Sequence, residues 1–321
     1  MIEEIKVLEL FGGIGACSKA FEKLNIPHKV VDYVEIDENA VKSYNAVHGS
    51  SFIPQDITKW DKDIDVDFLM HGSPCQDFSA AGKQKGGDEG SGTRSSLMYE
   101  TIRIVKKLRP RYVLWENVAN LLSEKHSHNF YRYIKEMKSI GYDNSFEILN
   151  SADYGLPQGR DRIFVVSILN GKKFDFPLKQ KLTKTFYDYL DESDIDESVI
   201  LTKNDISKMK DFGAPYAFGG SVVKGGIYPT ITASYGKVSG NSGKIPYKDT
   251  YRILTAKECW RLMGFDDEDY EKAAQVCLKS HLYHQAGNSI VVNVIEAIVA
   301  RLFNIKLDIE LVTTKRIKKL F

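Results

Sequence analysis

The sequence predicts an α/β protein, a doubly wound and mostly parallel sheet that carries a smaller, loop-rich domain. Three observations predict it. Short apolar runs alternate with segments of helical period, the first run ends in a glycine-rich turn, and the composition changes after about residue 171.

Residues 5–10 (IKVLEL) form an apolar run of strand length, followed by the turn and by a helix-like SKAFEKL. HKVVDYVEI reads as a second strand and ENAVKSYNAV as a helix. VDFLMHG is a third, buried strand. LMYETIRIVKKL has helical period with Pro110 just past its end, and RYVLWEN is again strand-like. YRYIKEMKSIGY continues as a helix, and RIFVVSIL gives a last strand near 162–169. Such alternation predicts helices on both faces of a parallel sheet.

Residues 213–243 then hold eight glycines in 31 positions, among aromatic and hydroxyl side chains. That density disfavours helix and predicts turns on short strands. The chain thus divides into 1–171 plus 283–321, and a smaller unit at 172–282. Regular helix returns in NSIVVNVIEAIVARLF, spaced to pack back on the first unit.

With 321 residues, 43% hydrophobic and 27% charged, the chain has the composition of a soluble globular protein. The N-terminal MIEEIKVLELF lacks the pattern of a secretory signal, and SIVVNVIEAIVARLF is too short to span a bilayer and is interrupted by Asn293, Glu296 and Arg301. A cytoplasmic location is expected. Four cysteines (Cys17, Cys75, Cys259, Cys277) include no Cys-x-x-Cys pair, so no metal site is expected. Net charge is only +1, but 188–197 carries six acids, whereas 198–252 holds eight Lys or Arg against three Asp. A neutral total can therefore hide a basic face.

Four segments carry chemistry. In LELFGGIGACSKAF a strand enters a tight turn and exits into a helix, which aims backbone N–H groups at a ligand. It departs from the dinucleotide fingerprint, because Ser18 stands at the third glycine position. Glu35 ends the second strand, where an acid can meet ribose hydroxyls, and Asp56 with Ile57 occupies a further strand-to-loop point. Surface or capping roles are open to both acids. In GSPCQDFS, Cys75 follows Pro74 on the loop after the third strand, a position that suits a nucleophile. In WENV, Glu116 ends another strand, where burial would raise its pKa and make it a proton donor. In GLPQGRDRIF, Arg160 and Arg162 alternate on an extended segment and offer planar forks to a base carbonyl or a phosphate.

These segments, in this order, resemble the cytosine-5 DNA methyltransferase family of bacterial or phage type over nearly the whole chain. The match runs through LELFGGIG, VEID, QDI, GSPCQDFS, GTRSSL, ENV, QGRDR, RILTAKECWRLMGF and QAGNSIVVNV. The resemblance implies the S-adenosylmethionine-dependent methyltransferase fold, with 1–171 plus 283–321 catalytic and cofactor-binding and 172–282 recognising the target. It implies Cys75 as the nucleophile, Glu116 as the acid at ring nitrogen 3, Arg162 at the base carbonyl, and Arg160 as its support. S-adenosylmethionine would be held by Phe11, Gly13 and Gly15, by Glu35 and Ile36 at the ribose and adenine, by Asp56 and Ile57, and by Pro74, Leu97, Asn288 and Ser289. Ile36 stands where some members carry an aromatic.

The target carbon is stacked inside duplex DNA, so the base must be extruded. Residues 79–95, with five glycines, are a candidate cationic lid, and Gln76, Ser79, Lys83, Lys85 and Arg94 are candidate DNA contacts. The stretch GGIYPTITASYGKVSGNSGK resembles the family's recognition region, with Thr230 in its core and Lys237 and Lys244 reaching phosphates. Double-stranded DNA is thus the expected partner of a monomer, with no membrane or metal and no stable complex with a cognate restriction endonuclease. A tRNA cytosine-5 methyltransferase on the same fold is the rival enzyme. A silent DNA-binding module would normally have lost Cys75, Glu116 or Arg162, and all three are present.

Overall fold

The computed structural model describes residues 3–74, 97–193, 195–208, 223, 225–237 and 242–312. The expected alternation forms β1 (Ile5–Leu10), α1 (Ala16–Lys23), β2 (His28–Val34), α2 (Glu38–His48), β3 (Phe68–His71), α3 (Met98–Leu108), β4 (Tyr112–Val118) and α4 (Ser127–Ser139). Local chemistry sets the boundaries. Asp37 caps α2 by accepting from the backbone N–H groups of Asn39 and Ala40, and Gly49 ends it in the left-handed region. Arg109 takes the same conformation after α3, and Pro110 prevents continuation.

Next come β5 (Tyr142–Asn150), β6 (Gln158–Gly159) and β7 (Asp161–Leu169), completing a six-stranded sheet in the order β2-β1-β3-β4-β7-β5. The first four strands are parallel, while β7 runs antiparallel to both β4 and β5. Strand β5 was not expected from the sequence. It lies at the sheet edge, where Phe146 and Ile148 are exposed and no clean alternation survives. The link from β5 to β7 is too short for a crossover and forces the antiparallel return.

Both faces of the sheet are covered. Val7, Phe68, Met70, Leu114, Phe164 and Val166 point into one apolar cluster with α1 and with α9 (Val292–Leu302). Leu8, Leu69, Val113, Trp115, Ile163 and Val165 point into the other, with α3 and α4. This is the period-2 alternation of strands buried on two sides.

The region from 172 onward contains α5 (Lys203–Lys208), β8 (Tyr228–Pro229), β9 (Ile245–Tyr247) and β10 (Thr250–Arg252). It is less loop-rich than expected, because α6 (Ala256–Arg261), α7 (Asp267–Ala274) and α8 (Lys279–Asn288) follow. Capping boxes at Thr255 with Glu258 and at Asp266 with Asp269 start α6 and α7. Lys19 on α1 bridges to Asp266 and Asp269, each at 2.8 Å. The bidentate pair of Arg252 and Glu258 is fully buried. The first apolar cluster extends without a break into Phe186, Tyr228, Ile231 and Trp260.

Candidate functional site

Strand order reverses between β1 and β3, so the loops after these strands diverge and leave a crevice at their C-terminal ends. A cleft there is walled by Phe11, Gly13 and Ile14 after β1, Gly72 after β3, Glu116 on β4, Asn288 at the end of α8, and Ser289 and Ile290 just after it. The sequence expected Phe11, Gly13, Glu116, Asn288 and Ser289 to be close together, and they are.

The turn is built for close approach. Phe11 and Gly13 have φ of 54° and 55°, and an added Cβ at Gly13 would meet nothing within 4 Å. At Gly15 (φ 82°) an added Cβ would lie 2.2 Å from His48 Nε2, so only glycine fits. Glu35 is largely committed to backbone: it accepts from Gly13 at 3.2 Å, Ile36 at 2.8 Å and Asp37 at 2.9 Å. Burial pushes its carboxyl up against those bonds. Beside it Ile36 is 69% exposed. Asp56 accepts from the backbone and hydroxyl of Thr58, which hold its carboxyl down, and Ile57 is buried. Leu97 and Pro74 are half-buried.

Beneath the turn lies a layer that sequence reasoning missed. Buried Glu9 accepts from Ser18 Oγ and, at 3.1 Å, from Tyr44 OH, while Tyr33 OH donates to the Gly13 carbonyl at 2.6 Å. Ser18 was the available signal, since its departure from the glycine fingerprint places a hydroxyl under the turn.

Glu116 follows from the reversal of β7. Because β7 starts where β4 ends, Arg162 pairs with Val118 and is a diagonal neighbour of Glu116 on the same face. Its Nε lies 3.1 Å from Glu116 Oε1. Burial raises the Glu116 carboxyl, opposed by the charges of Arg162 and Arg160. Arg160 does not present a fork to a substrate, as expected from its spacing. It is buried and donates to the carbonyls of Ile231 (2.8 Å), Gly287 (3.1 Å) and Ser289 (2.8 Å).

Cys75, Gln76, Ser79, Lys83, Lys85 and Arg94, with the whole 79–95 segment, lie outside the described residues. The residues leading into Cys75 are held tightly. Trp115 Nε1 donates to Ser73 Oγ at 3.1 Å, and Asn117 Nδ2 donates to the Ser73 carbonyl at 3.1 Å. His71, fully buried, stacks on Trp115 and hydrogen-bonds Tyr133 OH at 3.0 Å. These supports follow from neighbours of the recognised Glu116 and were not singled out in the sequence.

On the 225–244 stretch, Thr230 Oγ1 donates to the Gly159 carbonyl at 2.6 Å, which ties it to β6. Lys237 is exposed. Lys244, expected to reach phosphates, is instead fully buried and donates to the Ser242 carbonyl at 2.7 Å. Burial pushes its ammonium down to about 8, so the expectation from charge alone fails there. Among the described residues no group of His, Cys, Asp and Glu is arranged to hold a metal ion, and no helix is long and apolar enough to cross a membrane.

Comparison with known proteins gives the same picture. Residues 5–304 match the family described as C-5 cytosine-specific DNA methylase. The type II methyltransferase M2.ScrFI of Lactococcus lactis subsp. cremoris is 33% identical, over 93% of this chain and 99% of its own. M.Bsp6I of Bacillus sp. (strain RFL6), also named a type II methyltransferase, is 32% identical over 93% of this chain and 98% of its own. Among solved structures, the S. pombe Dnmt2 methyltransferase superposes with a TM-score of 0.75 at 23% identity, covering 94% of this chain and 99% of its own. At that identity the likeness shows the fold, a mainly parallel α/β sheet of the S-adenosylmethionine-dependent methyltransferase type. With a family match across 5–304 and relatives aligned over nearly their full length, the chain belongs to the C-5 cytosine-specific DNA methylases.

Proposed function

We propose that this DNA cytosine-5 methyltransferase works by covalent catalysis through Cys75, on a cytosine flipped into the cleft that Glu116 and the 11–14 turn share. The observation that carries the reading is that shared wall: a buried acid paired with Arg162 opens onto the same space as the glycine turn and Asn288.

The residues present fit S-adenosylmethionine. The turn offers backbone without Cβ at Gly13, an acid at the end of β2, and beside it the exposed Ile36 as an apolar platform for a purine ring. Asp56 and Ile57 would take the adenine edge, and Pro74, Leu97, Asn288 and Ser289 the methionine side. Bound there, the cofactor supplies an electrophilic methyl group.

Carbon 5 of cytosine is a poor nucleophile. Attack of the Cys75 thiolate on carbon 6 makes the ring enamine-like, so that carbon 5 can take the methyl group. Glu116, whose carboxyl burial pushes up against the opposing charges of Arg162 and Arg160, donates a proton to ring nitrogen 3 and spreads the charge that attack creates. Arg162 keeps Glu116 in place and meets the base carbonyl. Loss of the carbon-5 proton then expels Cys75 and restores the aromatic ring. Residues 172–282 would supply target recognition, through the 225–244 stretch with Thr230 and Lys237, and 79–95 would close over the DNA. We further propose a cytoplasmic monomer, which any endonuclease reading the same word meets only through the DNA.

The test is bisulfite sequencing of unmethylated plasmid after incubation with enzyme and S-adenosylmethionine. Protection of one cytosine within a recurring short word is the expected result. Full conversion of the plasmid, with labelling confined to tRNA in a parallel reaction, would overturn the reading.

A further inference from the structure

The stretch 231–233 and residues 284–289, of which Asn288 and Ser289 wall the cleft, are joined at three points. Arg160 holds the carbonyls of Ile231, Gly287 and Ser289 in one guanidinium fork. Gly287 packs so closely that an added Cβ would sit 2.1 Å from the Thr232 carbonyl carbon. The third joint is polar and directional. His284 Nδ1 lies 3.0 Å from the Ala233 carbonyl, and its Nε2 lies 2.8 Å from Asn288 Nδ2.

Hydrogen-bond chemistry orients this joint for the neutral imidazole. A carbonyl only accepts, so Nδ1 must carry the proton. In the neutral ring Nε2 then has a lone pair and needs a donor, which only the NH2 end of the Asn288 amide provides. The amide orientation is thereby settled, with Nδ2 turned to His284 and Oδ1 to the opposite side. Asn288 is itself part of the cleft wall.

We propose that His284 is a positioning residue which fixes the Asn288 amide, so that its carbonyl oxygen is the acceptor presented to a donor group of the cofactor. Through Ala233 the same ring ties that acceptor to the recognition stretch. The proposal rests on the reading of the cleft as the cofactor site. It goes beyond that reading by assigning a role to a residue that touches neither cofactor nor base. Since His284 is exposed, its replacement leaves the core untouched.

Two measurements test it. Long-range ¹H–¹⁵N spectra of histidine-labelled enzyme should show His284 as the Nδ1–H tautomer, and an Nε2–H tautomer would overturn the assignment. Calorimetric titration with S-adenosylhomocysteine should show His284→Phe binding about 5- to 10-fold more weakly than wild type, the loss expected for one oriented hydrogen bond. Its thermal midpoint should be unchanged. Equal affinity in the two proteins would overturn the proposal. Failure of wild type itself to bind S-adenosylhomocysteine would remove the cofactor reading instead, and the tautomer would still decide whether His284 orients Asn288.

Discussion

Replacing Cys75 with Ala should abolish methyl transfer and leave cofactor and DNA binding in place. Ser73 stays held by Trp115 and Asn117 whatever side chain follows Pro74, so the wall beside Glu116 keeps its shape. Tritium transfer from labelled S-adenosylmethionine checks this, and wild-type turnover in the variant would refute nucleophilic catalysis by this residue. Cys17→Ala is the control. That thiol is buried, burial pushes its pKa well up, and its loss should cost packing of only about 1 kcal/mol. His71 gives a pH signature of its own. Burial pushes its imidazole down to about 3, against 6.5 when free, so between these values the unfolded chain binds more protons than the folded one. Its stabilising contribution is present above pH 6.5 and is lost as pH falls toward 3, on the order of 5 kcal/mol in all. Urea midpoints of His71→Phe should therefore fall less steeply than those of wild type between pH 6.5 and 4. Parallel curves would point to another titrating group.

Elements differ in how clearly the sequence announces them, for physical reasons. Strands β1, β3 and β4 are buried on both faces and read as mainly apolar runs, α2 carries its own cap and stop, and α3 its own stop. Strand β5 is an edge with water on one side, so its pattern is diluted. The antiparallel return of β7 depends on the length of a link rather than on any residue in it. Helices α6 to α8 are short, and the glycine density just upstream hides them. At the site, the placement of Glu116, Arg162 and the turn glycines beside one crevice was legible because each follows a strand or lies near the end of one. Arg160 was read as a support for Arg162, but its hold on three backbone carbonyls was not legible, nor were the roles of Trp115 and His71, because each acts through a backbone or ring contact between distant segments. Gly287 belongs to the same class. Gly287→Ala forces α8 and the 232–233 backbone apart, since neither side of the clash is a movable side-chain tip. The expected cost is about 2–4 kcal/mol by chemical denaturation, with weaker S-adenosylhomocysteine binding. A neutral result would mean that the two backbones separate freely.

Across the whole molecule one apolar cluster runs from the sheet into the 186–265 region, and Arg160 is the polar pin through that continuity. Arg160→Met keeps much of the volume but strips a donor from three carbonyls. We expect a loss of about 3 kcal/mol or more in stability, and weaker binding of both S-adenosylhomocysteine and DNA. Loss of DNA binding alone would show that the pin serves only the recognition side. The close contact of Gly287 with 232–233 also bears on attempts to give this enzyme a new target word. A graft that exchanged recognition loops with splice points between 231 and 233 would import a backbone cut for a different neighbour. Donor loops should therefore be joined downstream of Tyr235, so that the resident pinned Ile231–Ala233 segment is inherited intact and only the sequence beyond it is rewritten.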